Sequence, residues 1–260
     1  MRWEGATVAV TGASRGIGRA IAERASARGA RVGLIARDAD DLELVRRSLD
    51  GRAVAAPADV ADRAQVEAAL REVESALGPV DIVVANAGIG AYGPFADLDV
   101  EAVERLVQVN VLGTVYPIKA ALPGMIERRR GHIAIVASVA GRFGSPFEAA
   151  YAATKFAQVG LGEALSVELS AHDIGVSVVN PGVVDTSFFE ARGHPWTREF
   201  PKLISPEQVA DALIGAVERD RLETFVPRWF AAAVAVRHLA PRLYAWGTRR
   251  SFGAELAPKP

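Results

Sequence analysis

The chain reads as a single α/β domain: a doubly wound parallel sheet of about seven strands with helices on both faces. Three observations predict it. Short apolar runs alternate with helix-period stretches along most of the 260 residues. Several runs, DIVVA at 81–85 and HIAIV at 132–136 among them, are nearly continuous in apolar residues, as strands covered on both faces must be. The first strand-to-helix turn carries spaced glycines, TGASRGIG at 11–18, where a buried strand meets a helix N-terminus.

Taken in order, the strands fall at 6–11, 31–36, 53–57, 80–85, 132–137, 175–180 and 223–227. The first is the alternating run Ala6, Thr7, Val8, Ala9, Val10. The helix after it is set by Ile17, Ala20, Ile21, Arg24 and Ala25, which recur at the helical period over 17–29. The remaining helices are expected at 40–49, 62–77, 99–127, 151–172 and 206–219. Arg128, Arg129 and Arg130 follow the fourth strand's long helix, where cations complement free carbonyls, and read as a solvated cap. The segment 187–203 breaks helical periodicity with Phe188, Phe189, Pro195, Trp196, Phe200 and Pro201, and is read as a lid over a pocket.

No linker divides the chain. Residues 1–228 form the expected dinucleotide-binding and catalytic unit, and 229–260 are an apolar C-terminal extension of the same domain. Pro241 interrupts that extension, so it is too short and broken to span a bilayer. Burial against the protein ranks ahead of oligomerisation or a peripheral membrane contact through 229–250, with Arg237, Arg242, Arg249 and Arg250 near head groups.

Composition removes other classes. Half the residues are hydrophobic, enough for one large core. A net charge of −1 argues against nucleic-acid binding. There is no cysteine, and the four histidines (His132, His172, His194, His238) lack ligand spacing, so no metal is expected. The N-terminus enters the first strand within a few residues without an apolar signal core, which gives a cytoplasmic expectation.

Two segments carry chemistry. In the first, Gly12 permits a tight turn, Gly16 lets backbone approach a pyrophosphate, and Gly18 lets helix and strand pack closely; helix N–H groups then favour the anion. The sheet is therefore Rossmann-like. The second is YAATK at 151–155, which places Tyr151 and Lys155 one turn apart on one helical face. Only four lysines occur, at 119, 155, 202 and 259, so the pairing is not a product of composition. A phenol titrates near 10, and acting near neutrality asks for about 4 kcal/mol of phenolate stabilisation. A cation about 4 Å away supplies roughly that at an effective dielectric of about 20.

With Asp59 and Val60 after the third strand, Asn86, Ala87 and Gly88 after the fourth, Asn110 in the long helix, Ser138 ending the fifth strand and NPG at 180–182 with Thr186 after the sixth, the chain resembles the short-chain dehydrogenase/reductase (SDR) family from about residue 5 to 228. The resemblance implies an oxidoreductase moving hydride between a nicotinamide and a carbonyl or secondary alcohol. It implies Tyr151 as general acid/base, Lys155 as its supporting cation and Ser138 as donor to the substrate oxygen. It further implies that Asn110 holds a water linking Lys155 to solvent, and that Asn86 and Asp59 serve the adenosine half, Asp59 accepting from the adenine amine. The cofactor-binding set is Gly12, Ser14, Arg15, Gly16, Ile17, Gly18, Arg37, Asp59, Val60, Asn86, Ala87, Gly88, Tyr151, Lys155, Pro181, Gly182, Val184 and Thr186. Relatives pair through their long helices, which makes a homodimer or homotetramer the expected assembly.

The cofactor expectation is NADP(H). A carboxylate after the second strand would bind the ribose hydroxyls of NAD, but Ala36 and Arg37 stand there, and Arg37 with Arg15 suits a 2′-phosphate. Asp38 could reach the ribose only by a one-residue shift. The expected pocket wall, Tyr92, Phe95, Ala140, Arg142, Phe143, Val183 and 187–203, suits a bulky apolar ketone or aldehyde, with Arg142 as the one charge able to meet a carboxylate. The alternative from another class is a regulator that senses NADP(H) without turnover; it has no chemical reason to keep Asn110, Ser138, Tyr151 and Lys155 together. A sugar-nucleotide epimerase needs a larger C-terminal domain than this chain has after Pro206.

Overall fold

The computed structural model describes residues 1–253; 254–260, the end of the C-terminal extension, lie outside the described residues. Seven strands form one parallel sheet in the order β3-β2-β1-β4-β5-β6-β7. They are β1 (Thr7–Thr11), β2 (Arg31–Ile35), β3 (Ala53–Ala55), β4 (Ile82–Ala85), β5 (Gly131–Val136), β6 (Ile174–Pro181) and β7 (Glu223–Val226). The order reverses direction between β1 and β4, the position at which open parallel sheets open a crevice for ligands.

Alternation along each strand builds two cores. Val8, Val10, Ile82, Val84, Ala134 and Val136 face one side, under α1 (Gly16–Ser26), α2 (Ala39–Ser48) and α8 (Pro206–Glu218), where Ile21, Leu42, Leu213 and Ile214 complete the packing. Ala9, Val83, Ile133 and Ile135 face the other, under α3 (Arg63–Leu77), α5 (Gly113–Arg128) and α6 (Ala149–Glu168), with Leu70, Val73, Ile118, Met125 and Val159. Each fully buried Leu or Ile contributes about 1.5–3 kcal/mol, so both faces are covered for a strong energetic reason.

Three features depart from the expectation. The single helix over 99–127 is three pieces: α4 (Val100–Leu106), a π-helical turn (Val107–Leu112) and α5. The arginine triplet is a clamp as well as a cap. Arg128 Nη2 donates to Val80 O (2.9 Å), Arg129 pairs with Asp173 (2.8 Å) and Arg130 with Asp81 (3.1 Å), joining the helix end to the amino-terminal edge of the sheet. The C-terminal extension is two helices, α9 (Phe230–Leu239) and α10 (Pro241–Ser251), broken at Pro241. Burial was expected there, yet only Phe230 of α9 is buried and no residue of α10. Among the described residues no helix is long and apolar enough to cross a membrane, and no cluster of His, Asp and Glu could hold a metal.

Candidate active site

The carboxyl ends of β1, β4, β5 and β6 open into one cavity of about 1430 Å³, which continues past the short helix α7 (Phe188–Ala191) to α9 and α10. Its first wall is the glycine turn. Gly12 has φ +66°, and a Cβ there would lie 2.9 Å from Ala87 Cα; at Gly18 a Cβ would lie 2.1 Å from Gly12 O. Only glycine fits either place. Thr11 Oγ1 accepts from the N–H groups of Asn86 (3.0 Å) and Ala87 (3.2 Å) and donates to Val84 O, so β1 and β4 hold the turn jointly. Asn86 was expected on the adenosine half. It lines the cavity, and its side-chain Nδ2 also donates to Thr11 O (2.9 Å) and Gly12 O (3.3 Å), which fixes the turn.

Helix α1 then presents a bare N-terminus, with no side-chain cap and no acidic residue in its first turn. Its free N–H groups and positive dipole end suit a pyrophosphate, and Gly12, Ser14, Arg15, Gly16 and Ile17 line the cavity there. Gly18 lies behind that wall. Arg15 and Arg37 line the same end, whereas Asp38 Oδ1 accepts from Asp41 N (3.0 Å) as the N-cap of α2. Capping ties one oxygen of Asp38 to its own helix, and Asp38 and Asp41 both line this end of the cavity beside Arg37. Asp59 lines the cavity beside Val60; Ala61 N donates to its Oδ1 (2.9 Å) and Arg105 to its Oδ2 (2.9 Å). Burial raises its pKa, but the Ala61 N–H, Arg105 and Arg37 outweigh that and hold it below the usual value. Ala87, Gly88, Pro181, Gly182, Val184 and Thr186 complete this half.

The second half hangs on α6. Tyr151 and Lys155 share one face with Gln158, and all three are buried. Ser138 caps the turn Val139–Gly141, its Oγ accepting from Ala140 N (3.1 Å), and it also lies in hydrogen-bonding range of the Tyr151 phenol. Lys155 Nζ donates to Gln158 Oε1 (2.7 Å) and Val136 O (3.2 Å) and lies 5.7 Å from the Tyr151 ring centre. A phenol depressed by its lysine was expected. In the chain alone, burial pushes Tyr151 up, Glu148 adds to the rise, and Ser138 and Arg192 only partly oppose it. Burial likewise brings Lys155 down to about 7. Desolvation disfavours the charged form of each.

Asn110 sits in the π turn, fully buried and behind the cavity wall. Its Oδ1 accepts from Ile89 N (2.8 Å), and its Nδ2 donates to Ile89 O and Thr154 Oγ1 (both 3.0 Å), tying the loop after β4 to α6. Its main-chain carbonyl, which the π turn turns outward, accepts from Gln158 Nε2 (2.9 Å). Gln158 therefore links the Asn110 main chain to Lys155. The sequence held the signal for it: a polar residue seven positions after Tyr151, on the same buried face.

Tyr92, Ala140, Phe143 and Val183 line the outer cavity with Phe188, Phe189, Trp196 and Phe230. Two expected wall residues do not. Phe95 is 64% exposed, away from the site. Arg142 is held by Glu223 (2.7 Å) and Glu163 (2.5 Å), so its charge is already matched within the protein. The 187–203 segment instead brings Arg192, whose guanidinium pairs with Glu148 and lies over the rings of Tyr92 (4.9 Å) and Phe189 (4.5 Å).

Residues 6–195 match the family model described as short chain dehydrogenase. A Bos taurus protein named 3-ketodihydrosphingosine reductase is 39% identical over 225 residues, 81% of this chain and 68% of its own. A Burkholderia phymatum short chain dehydrogenase/reductase solved with NAD superposes with a TM-score of 0.86 at 26% identity, over 94% of this chain and 96% of its own. A Sphingobium yanoikuyae short-chain dehydrogenase solved with NADPH gives 0.78 at 29%, over 98% and 96%. A match over most of the sheet, by sequence and by backbone, leaves one assignment: the chain belongs to the short-chain dehydrogenase family and is an oxidoreductase of the C=O/CH–OH couple.

Proposed function

We propose that this protein reduces a bulky, largely apolar ketone with NADPH, using Tyr151 as the proton donor. The observation that carries the reading is the burial of Tyr151, with Ser138 beside it and Lys155 beneath it, at the inner end of an aromatic-walled cavity. At about 1430 Å³ the cavity exceeds the roughly 300–1,000 Å³ of a single-ligand pocket and leaves room for a dinucleotide and a large substrate together.

When bound, the reduced nicotinamide supplies hydride. Ser138 orients and polarises the ketone oxygen through its hydroxyl. Tyr151, kept protonated by burial, gives its proton to that oxygen as the carbon is reduced. The Lys155 ammonium, about 5–6 Å from the ring, then stabilises the phenolate by roughly 3 kcal/mol at an effective dielectric of about 20.

Arg15 and Arg37, with Asp38 committed to its helix, support a 2′-phosphate over free ribose hydroxyls. The name of the bovine relative points to a long-chain keto compound, and the aromatic wall from Tyr92 to Phe230 suits such a chain. The test is NADPH consumption against ketones graded in chain length: kcat/KM rising with apolar length supports the reading, and a preference for small polar ketones rejects it.

A further inference from the structure

Helices α9 and α10 carry an exposed apolar and basic face at the mouth of the cavity. Val236, Leu239, Leu243 and Trp246 recur at intervals of three and four residues and are 42%, 86%, 57% and 61% exposed. Phe200, 69% exposed and stacked on Trp229 at 5.4 Å, extends the same surface. Clustered apolar side chains left in water mark a contact surface, because covering them removes apolar area from water.

Charge says what covers it. Residues 224–254 hold Arg228, Arg237, Arg242, Arg249 and Arg250 and no Asp or Glu, in a chain whose net charge is −1. Among the described residues, none of the salt bridges involves Arg228, Arg242, Arg249 or Arg250. A second copy related by a two-fold axis would set these arginines against one another. An anionic lipid surface matches both properties: acyl chains for the ridge, head groups for the guanidinium groups, and tryptophan at the boundary. The same two helices line the reaction cavity with Phe230, Ala233, Val236, Leu243, Tyr244 and Trp246, so the exposed ridge forms the mouth of the site, and Leu239 alone of the ridge lies outside the cavity wall.

We propose that α9 and α10 dock this protein on the surface of an anionic bilayer, with Leu239, Leu243 and Trp246 in the interface and Arg242, Arg249 and Arg250 on head groups. The inference stands apart from the substrate reading, because docking needs no turnover.

The test is co-sedimentation of the full chain with phosphatidylcholine vesicles with and without phosphatidylserine. Binding is expected to the phosphatidylserine vesicles, to weaken with salt, and to fall at least about tenfold in Leu239→Asp and in the combined Arg242→Gln, Arg249→Gln, Arg250→Gln variant. None of these four residues lines the cavity, so NADPH binding and the melting temperature should stay as in the parent. No binding to either vesicle, or binding that both variants leave unchanged, overturns the proposal. So does a parent dimer that Leu239→Asp converts to monomer with no vesicle binding, which would assign the face to a second copy.

Discussion

Gln158 Oε1 lies 2.7 Å from Lys155 Nζ, and the rest of its amide is spent on the Asn110 carbonyl and on Thr114 Oγ1 (2.6 Å). Among the described residues, the other hydrogen bond from Nζ goes to a main-chain carbonyl, Val136 O. A buried ammonium with one acceptor fewer is harder to keep charged.

Gln158→Leu should therefore push the Lys155 pKa below about 7 and move the alkaline limb of kcat/KM for ketone reduction acidward. Losing a charged hydrogen bond is worth about 1.5–3 kcal/mol, so kcat/KM near pH 8 should fall roughly tenfold or more. Gln158→Glu should move the limb the opposite way. A pH–rate profile for each variant checks this; parallel profiles would limit Gln158 to packing.

Arg37→Ala should lower the ratio of NADPH to NADH in kcat/KM by at least about tenfold, from one lost charge-assisted contact of about 1.5–3 kcal/mol. Asp38 should not substitute as a ribose ligand, because it caps α2. Steady-state kinetics with both cofactors decide it.

Arg192 and Glu148 pair out of water, joining the loop after α7 to the start of α6. Arg192→Met leaves the carboxylate unpaired and should cost about 3–5 kcal/mol of stability. Combining it with Glu148→Gln should recover most of the loss. Denaturant unfolding of the two single variants and the double variant gives the coupling directly.

His132 is buried at the start of β5 against Ser177 (2.9 Å), and burial lowers its pKa to about 4. Between about 4 and 6.5 the unfolded chain binds a proton that the folded chain does not, so stability falls as pH drops through that window. The loss approaches roughly 3 kcal/mol at its lower end. His132→Gln should flatten that part of the stability curve relative to the parent.

Much of the architecture was legible because each strand is apolar on both faces and each helix on one: the strand and helix positions agree with the sequence to within a few residues at most boundaries. Gly12 and Gly18 were legible because close backbone approach admits nothing larger. What was not legible depends on partners distant in the chain. Arg142 reads as a free charge until β7 brings Glu223 beside it, and the bonds by which the Asn86 amide also holds the turn after β1 join residues some 75 positions apart. The break in the helix around Asn110 has no glycine or proline within it, though Gly113 and Pro117 follow closely, and the exposure of α10 follows from packing that periodicity does not encode.

The most direct test of the account is NADPH oxidation with a long-chain ketone by the parent protein and by Tyr151→Phe. Loss of the proton donor should lower kcat by about 10²–10⁴ while NADPH binding is retained. Turnover by Tyr151→Phe close to the parent rate, or NADPH binding by the parent with no turnover of any ketone, would contradict it.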